Sequence, residues 1–247
     1  MKDLIKRPIA FILVLSLAIS SVSVMTFAIG NDMEVVDEVT YYDEIMTTSS
    51  NFVWHATRSE RGVFEVGYWE VPVIRVNHRT VGSVTPEFQF NAHMAASRDA
   101  WSAAIGVPIV NHSLAIGSNI VAYGGTRDGI LLETGVRLGP THVGAAYEAE
   151  RVLRAGVFVG GIIKRVYAYS GFGVRARIFV VEQTHANAEF NRGFNRKITM
   201  HELGHALGWL GHKVAHTSAV MHGNLNRFYT LVPNEITHLR QFYDAFR

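Results

Sequence analysis

Two histidines and a glutamate near the C-terminus have the spacing of a hydrolytic metal site. His201 and His205 lie four positions apart, and Glu202 directly follows the first of them. In a helix, both imidazoles project from one face and can reach a single ion. Imidazole is a good ligand for Zn²⁺, and a catalytic zinc keeps one position open for water. Because zinc lowers the pKa of that water, Glu202 can accept its proton as a general base, and the water can attack a polarised carbonyl.

The elements around the motif must bring these side chains together. A helix is predicted over residues 195–210 by apolar positions at helical spacing, namely Ile198, Leu203, Ala206, Leu207 and Leu210. Gly208 lies where a glycine can end such a helix in a left-handed turn, and His212 follows where a returning loop can supply a third ligand. The motif has only three fixed positions and can arise by chance, so this context decides its interpretation.

Two segments after the motif carry further signals. Ser218 opens the segment Ser-Ala-Val-Met-His-Gly, in which Met221 is predicted to lie in a tight turn. Residues 232–243 predict an amphipathic helix that closes the chain. A methionine at a turn is usually core packing, so a role for Met221 depends on the motif upstream.

This combination resembles the metzincin metalloproteases, whose pattern is His-Glu-x-x-His-x-x-Gly-x-x-His followed by a Met-turn. The matrixin branch fits best, because it is similar in its short Ser-x-x-Met turn and in a final helix that begins near Pro233 and Glu235. The resemblance is strong over residues 195–247 and general before them. It implies an α+β catalytic domain with a mixed twisted sheet and helices, in which the active-site helix is followed by the Met-turn and a C-terminal helix.

The resemblance also implies an activity and a set of site residues. The activity is that of a zinc endopeptidase, which hydrolyses peptide bonds in proteins or peptides. The ligands of its single catalytic zinc would be His201, His205 and His212, with Glu202 as the base that activates the zinc-bound water. Gly208 and Met221 would support the site, Met221 as part of the apolar floor beneath the zinc. The alternative function is a zinc-binding secreted domain without proteolytic activity, although a domain that only binds zinc does not need the glutamate.

One departure from the family pattern concerns the third histidine. The family places it three residues after the glycine, whereas this chain has Gly211 there and His212 one position later. A glycine can absorb the extra residue by adopting a conformation closed to other residues, so His212 remains the predicted ligand. Two alternatives stay open: His216 as the third ligand and, in a gluzincin-type site, Glu235.

The first 28 residues have the parts of a secretory signal peptide. A basic start precedes an apolar run over residues 9–19, and small or polar residues lead to Ala28. The run is short and broken by serines, which argues against an uncleaved membrane anchor. The chain has no cysteine and therefore no disulfides, which is more typical of a bacterial secreted enzyme than of a small animal extracellular module. The predicted location is extracellular.

Removal of residues 1–28 leaves a neutral chain of about 219 residues. That segment holds three basic residues and one acidic residue, so the totals of 23 and 21 both fall to 20. A neutral chain gives no reason to expect nucleic acid or a stable membrane association as a partner. The acidic residues 29–50 are interpreted as a linker, with a short pro-segment that blocks the zinc as the alternative. Residues 51–247 are predicted to form one zinc metallopeptidase domain.

The remaining elements are predicted from periodicity and composition. One or two strands are expected over residues 62–76, a helix over 88–105, and strands over 119–123 and 175–182. Residues 124–173 are glycine-rich and are left unassigned, and within them 141–154 is left open between a helix and a hairpin. The strand at 175–182 is expected to be the edge strand beside which an extended substrate binds.

Three further expectations concern the cleft and its ions. The substrate pocket is expected to be lined by residues 225–231, where Phe228 and Tyr229 suggest an apolar or aromatic wall. His222 adjoins the predicted Met-turn and could tune the site without binding the metal. Calcium is a possible second ion, but no acidic loop has the density of oxygen ligands that it needs.

Overall fold

A computed structural model of the chain describes residues 63–159, 162–171, 175–185, 187–213, 218–223 and 229–246. The predicted signal peptide and the acidic segment at residues 29–50 lie outside these ranges. The described part has an α+β fold with two sheets and four helices. None of the described helices is both long and apolar enough to cross a membrane.

The larger sheet is mixed and has five strands. They are β2 (Ile74–Val81), β3 (Ile109–Asn111), β4 (Ile120–Gly125), β5 (Gly144–Tyr147) and β8 (Ala176–Val181). Their order across the sheet is β3-β2-β4-β8-β5, and every pair is parallel except the last, in which β5 runs antiparallel to β8. A smaller sheet has the order β1 (Val63–Trp69), β7 (Ile162–Tyr169) and β6 (Arg151–Val159).

The helices pack on one another and on the two sheets. They are α1 (Phe90–Ile105), α2 (Arg127–Thr134), α3 (Ala188–Ala206) and α4 (Pro233–Phe246). Helix α3 carries the histidine motif and packs against α1, β8 and β5, while α4 packs against α1 and β1. In α1, Phe90, Met94, Trp101 and Ile105 recur at helical spacing and are all buried. The motif helix is therefore held between another helix and the larger sheet.

The edge strand of the larger sheet differs from the prediction. The strand predicted at 175–182 is present as β8, but it lies between β4 and β5 and so is an interior strand. Its residues Ile178 to Val181 are all buried, because an interior strand covered on both faces has no polar alternation. The edge is β5, which falls within the segment left open between a helix and a hairpin. That segment is neither, since β5 pairs with β8 whereas the following β6 belongs to the smaller sheet.

The other predicted elements are present with shifted bounds. Strands β1 and β2 account for residues 62–76, and they separate around Pro72. Helix α1 and strand β4 confirm the helix at 88–105 and the strand at 119–123. Helix α2 lies in the unassigned glycine-rich segment. Its N-cap is Thr126, whose hydroxyl accepts a hydrogen bond from the Gly129 amide at 3.1 Å.

Helix α3 begins and ends at recognisable signals. The Asn187 side chain caps its first turn by accepting a hydrogen bond from the Phe190 amide at 2.9 Å. The helix ends at Ala206, four residues before the predicted end, because Gly208 takes a left-handed φ of 113° and turns the chain away. Trp209 then forms an isolated antiparallel bridge with Val66 of β1. The glycine is therefore the stop signal, as predicted, and the apolar residues beyond it pack outside the helix.

Three aromatic side chains hold α3 in place by satisfying its carbonyl groups. The indole nitrogens of Trp69 and Trp101 each donate a hydrogen bond of 2.9 Å, to the carbonyls of Ala206 and Met200 respectively. The Tyr243 hydroxyl of α4 donates one of 2.9 Å to the Leu207 carbonyl. The Ala206 and Leu207 carbonyls stand at the helix end and have no partner within the helix, so the bonds from Trp69 and Tyr243 fix the position of its last turn. The Trp101 bond adds a second donor to a carbonyl inside the helix. The last turn carries the second histidine of the motif.

Candidate metal centre

Three histidines converge on one point at the end of α3. His201 and His205 lie one turn apart on the helix, and His212 reaches them from the loop that follows. One ring nitrogen of each lies within 4.8 Å of the others, and the His212 ring centroid is 5.1 Å from each of the other two. Among the described residues this is the one cluster of three or more histidine or carboxylate groups placed to share an ion. The alternative ligand His216 lies outside the described residues.

Backbone carbonyls fix the tautomers of the two helix histidines. Nδ1 of His201 lies 2.7 Å from the Val220 oxygen, and Nδ1 of His205 lies 2.6 Å from the Trp209 oxygen. A carbonyl only accepts hydrogen bonds, so each Nδ1 must carry the proton that it donates. In a neutral ring, Nε2 is then an unprotonated acceptor. The two Nε2 atoms face each other at 3.0 Å, where two lone pairs repel unless a cation is shared between them.

Burial keeps these rings neutral. Desolvation lowers the pKa of His201 well below its ordinary value and lowers that of His205 to about 3. The pKa of His212 is also lowered, mainly by desolvation and further by the nearby charge of Lys197. Three neutral imidazole nitrogens are a donor set that suits zinc. Two nitrogens on a tetrahedral zinc are about 3.3 Å apart, close to the observed 3.0 Å, so the residues present fit that metal.

Two glycines shape the loop that brings His212 to the cluster. Gly208 has φ 113° and Gly211 has φ 86°, both in the left-handed region that favours glycine. The second of these is the glycine expected to absorb the extra residue of the loop. The next residue, Lys213, donates its amide to the Met221 carbonyl at 2.9 Å. The loop is thereby tied to the turn that follows it, with His212 held between.

Glu202 lies beside the triad and is buried. Burial raises the pKa of its carboxyl to about 8, an effect that the Lys197 ammonium opposes. Gly144 of β5 packs directly against the carboxylate, since a Cβ added there would overlap Oε1 and lie 2.8 Å from Cγ. The edge strand therefore sets the position of this side chain. A cation at the triad would favour the ionised form and so restore the ability of Glu202 to accept a proton.

Met221 lies against helix α3 at Gly204, between the turns that carry His201 and His205. Its side chain is fully buried. A Cβ added to Gly204, the residue before His205, would meet its sulfur at 2.5 Å and the Trp101 ring at 2.8 Å. Met221 therefore packs against the helix at Gly204, and its place in an apolar floor beneath a zinc ion stays a prediction. A glycine on the helix allows the methionine to approach this closely.

Glu235 of α4 supports the same turn. Its fully buried carboxylate accepts two hydrogen bonds, from the Met221 amide at 2.6 Å and from the Val232 amide at 2.9 Å. These bonds use one oxygen each, and Glu235 is not part of the cluster formed by the histidines. The alternative in which this glutamate is the third ligand is therefore wrong. The side chain instead ties the methionine turn to the C-terminal helix.

An open cleft of about 400 Å³ runs past the triad. One wall is formed by residues 137–147, which end in the edge strand β5, and the other by α3 with His212 and Gly223. Lys197, one turn before the first histidine, also lines the cleft. The cleft therefore combines a strand edge, a histidine triad that could hold a metal ion and a buried carboxylate.

The predicted lining of the substrate pocket is only partly covered by the structure. Phe228 lies outside the described residues, as do residues 224–227. The prediction that Tyr229 lines the cleft is wrong. This residue lines a second groove beside α1, where its ring stacks on the Arg196 guanidinium at 4.2 Å. Leu231 lies in the same second groove. The described walls of the cleft come instead from β5 and α3.

Sequence reasoning missed two residues of the site. Lys197 and Gly144 carry no motif of their own, and only the packing of α3 on β5 brings them to the cleft. His222 was noted as a residue that could tune the site. In the structure its main-chain carbonyl accepts a hydrogen bond from the Lys197 ammonium at 3.0 Å, and the tuning of the site by its side chain stays a prediction.

Comparison with known proteins adds no assignment to this geometry. No protein-family model matches the chain, and no curated protein sequence matches it. The functional argument therefore depends on the site itself.

Proposed function

We propose that the chain is a secreted zinc-dependent endopeptidase, similar to the matrixin branch of the metzincins, which hydrolyses peptide bonds in proteins. The observation that carries the proposal is the pair of Nε2 atoms of His201 and His205, which face each other at 3.0 Å with their protons directed away. Two facing unprotonated nitrogens can share a cation, and the adjacent Glu202 can act as the general base that hydrolysis needs. A site that only stored or sensed zinc has no use for a buried carboxylate beside the ligands.

The residues of the chain divide the work of hydrolysis between them. When bound, zinc would polarise the scissile carbonyl and make a water molecule more acidic. Glu202 accepts the proton of the attacking water at its carboxylate and then transfers it to the leaving amine. The Val220 and Trp209 carbonyls orient the imidazoles, because their hydrogen bonds hold each ring in one tautomer.

The edge strand provides the binding mode for the substrate. Within the described residues β5 is the last strand of its sheet, and it borders the cleft opposite α3. An extended peptide can add to such an edge through main-chain hydrogen bonds, whatever most of its side chains are. The carbonyl of one of its peptide bonds then lies between the triad and Glu202. This mode supports an endopeptidase that acts on unfolded or flexible segments.

The test compares the parent full chain with the near-isosteric variant Glu202→Gln. Zinc content and cleavage of an unstructured protein such as casein are measured for both. We expect similar zinc in both proteins, cleavage by the parent that a chelator abolishes, and loss of cleavage by at least about 100-fold in the variant, the usual effect of removing a general base. The variant keeps the shape of the side chain, so its packing against Gly144 is retained.

Two histidine-to-alanine variants, one within the triad and one outside it, provide a matched comparison. His212→Ala removes a member of the triad, whereas His142→Ala removes a histidine that lines the opposite wall of the same cleft. We expect loss of zinc and activity only from the first. Zinc binding by the parent without cleavage of any unstructured protein would favour the alternative, a zinc-binding domain without proteolysis. A parent that binds no zinc would refute the proposal.

A further inference from the structure

A second groove opens between helices α1, α3 and α4, and the proposed mechanism does not use it. Its volume is about 430 Å³. Most of its lining is apolar and comes from all three helices and the segment before α4, namely Ala100, Ala103, Ala104, Met200, Leu231 and Ile236. Concave and mostly apolar sites of about 300–1,000 Å³ are typical of small-molecule binding.

The charged side chains that line this groove are cationic. They are Arg196 of α3 and Arg240 of α4, and no acidic side chain of the described residues joins them in the lining. Arg240 is partly neutralised, because its Nε lies 3.5 Å from the exposed carboxylate of Asp244. Two arginines and one nearby aspartate leave a net charge of +1 at the groove. A single monoanionic group would balance that charge.

The Arg196 guanidinium is held in an orientation that suits an anion. Its Cζ lies 4.2 Å from the centre of the Tyr229 ring, so the two groups stack. Stacking covers one flat face of a guanidinium and leaves the N–H groups at its edge, which form the fork that binds a carboxylate. No carboxylate in the described part of the chain pairs with Arg196.

The surroundings of the groove favour a small occupant over a protein partner. Six large apolar side chains are exposed among the described residues, and Tyr229 alone of these lines the groove. A stable protein interface buries about 1,000 Å² or more around an apolar core. Here the apolar surface is confined to the groove itself, so an occupant of matching size is the better fit.

We propose that this groove binds the carboxylate of an aliphatic chain, the chemistry of a fatty acid. Arg196 binds the carboxylate through the edge of its guanidinium, the alkyl chain lies along the apolar residues between the helices, and Arg240 adds positive charge. A fully buried methylene strengthens binding by about fourfold, so the chain supplies affinity and the guanidinium selects the charge of the headgroup. The site does not depend on the proposed peptidase function.

The test measures binding of decanoate to the full chain by titration calorimetry, below the concentration at which decanoate forms micelles. Octanoate has the same headgroup and a shorter chain, and decyltrimethylammonium has the same chain with a cationic headgroup. We expect decanoate to bind about fourfold or more tighter than octanoate, since an open groove covers only part of the chain. Decyltrimethylammonium should bind at least about tenfold more weakly than decanoate.

The titrations are repeated after treatment with a chelator, because zinc at the histidine triad also binds carboxylates. The groove lies on α1, α3 and α4 and shares no lining residue with the cleft. We therefore expect the affinity for decanoate to be the same with and without metal.

Arginine variants locate the carboxylate. Arg196→Gln should weaken decanoate binding by about tenfold or more, and Arg196→Lys, which keeps the charge, should weaken it less. Arg240→Gln should weaken it by less than about threefold, because Asp244 already shares that charge. The matched control is Arg192→Gln, which removes an arginine of α3 that does not line the groove and should leave the affinity unchanged.

Four outcomes would overturn the inference. The first two need only the parent protein: no binding of decanoate, or equal binding of decanoate and decyltrimethylammonium. Binding that the chelator abolishes would assign the carboxylate to the triad. Unchanged affinity in a folded Arg196→Gln variant would show that this arginine only holds Tyr229. A dimer that Arg240→Gln dissociates in sedimentation would indicate a second copy as the occupant, which also contradicts the inference. None of these results bears on peptide cleavage, so the two proposals are tested separately.

Discussion

Replacement of Gly208 by alanine tests whether the turn after α3 positions the metal site. Gly208 has φ 113°, and a Cβ added to it would lie 2.8 Å from the Gly67 Cα and closer still to the Gly67 carbonyl. Both of these are backbone atoms, so no side-chain rotation can relieve the overlap. The Gly67 amide also donates a hydrogen bond of 2.8 Å to the Gly208 carbonyl. Gly208→Ala must therefore separate the turn from β1.

Gly135 provides the matched control for this change. It also has a left-handed φ, 72°, but a Cβ added there meets nothing within 4 Å. Gly135→Ala should cost only the strain of the left-handed conformation, about 1 kcal/mol. Gly208→Ala adds the lost hydrogen bond and the displaced backbone, so we expect a total of about 3–5 kcal/mol. For a chain of this size the melting temperature should fall by about 2–4 °C in the first variant and by about 6–20 °C in the second.

The same change should weaken metal binding. The Trp209 carbonyl follows Gly208 and holds Nδ1 of His205 at 2.6 Å, so moving the turn releases that ring. Loss of such a partner typically costs about 10- to 100-fold in metal affinity. Thermal unfolding of the metal-free proteins and zinc titration in competition with a chelator measure the two effects. Equal stability and equal zinc affinity for the two alanine variants would refute the role given to this turn.

The hydrogen bonds of the Glu235 carboxylate and the lowered pKa values of the three histidines give two further predictions. In Glu235→Gln the new side-chain amide group must face one of the two main-chain amides that now donate to the carboxylate, so two donors oppose each other. We expect the free energy of unfolding in chemical denaturation to fall by about 2–4 kcal/mol while zinc is retained. Stoichiometric loss of zinc from this variant would instead indicate that Glu235 is a ligand. Zinc affinity should change less than about tenfold between pH 7 and pH 5, because the lowered pKa values of His201, His205 and His212 keep protons from competing until lower pH. A triad of ordinary histidines would lose roughly 30-fold per residue over this range, and calorimetry at both pH values distinguishes the two cases.

The part of the site closest to the motif follows from local sequence. The spacing of His201 and His205 is a helical turn, and a glycine three residues later ends that helix by a left-handed φ, so local rules suffice for both. The predicted start of α3, at residue 195, is seven residues too late, because the helix begins at Ala188. Phe190 and Phe194 extend the apolar face toward Asn187, but the charged and polar residues between them obscure the period.

The role of Glu235 could not be predicted because it depends on contacts between distant segments. From the sequence, a glutamate after the motif is a possible ligand, and nothing local excludes it. In the fold, α4 packs against α1 and β1, and its first turn meets the methionine turn. A buried carboxylate must find donors, and the Met221 and Val232 amides supply them. The assignment thus changes once the amides around the carboxylate are known.

The edge strand was missed for a related reason. A strand is usually recognised by its large β-branched and aromatic residues, which β8 has in Ile178 to Val181. Strand β5 begins with Gly144 and two alanines, a poor strand signal, because its neighbours leave little room: Glu202 occupies the space where a Cβ of Gly144 would lie. The small residues of β5 are required by close packing against α3, and strand propensity has little influence on them. The small residues that let β5 pack closely against the Glu202 carboxylate are therefore the same ones that conceal the strand in the sequence.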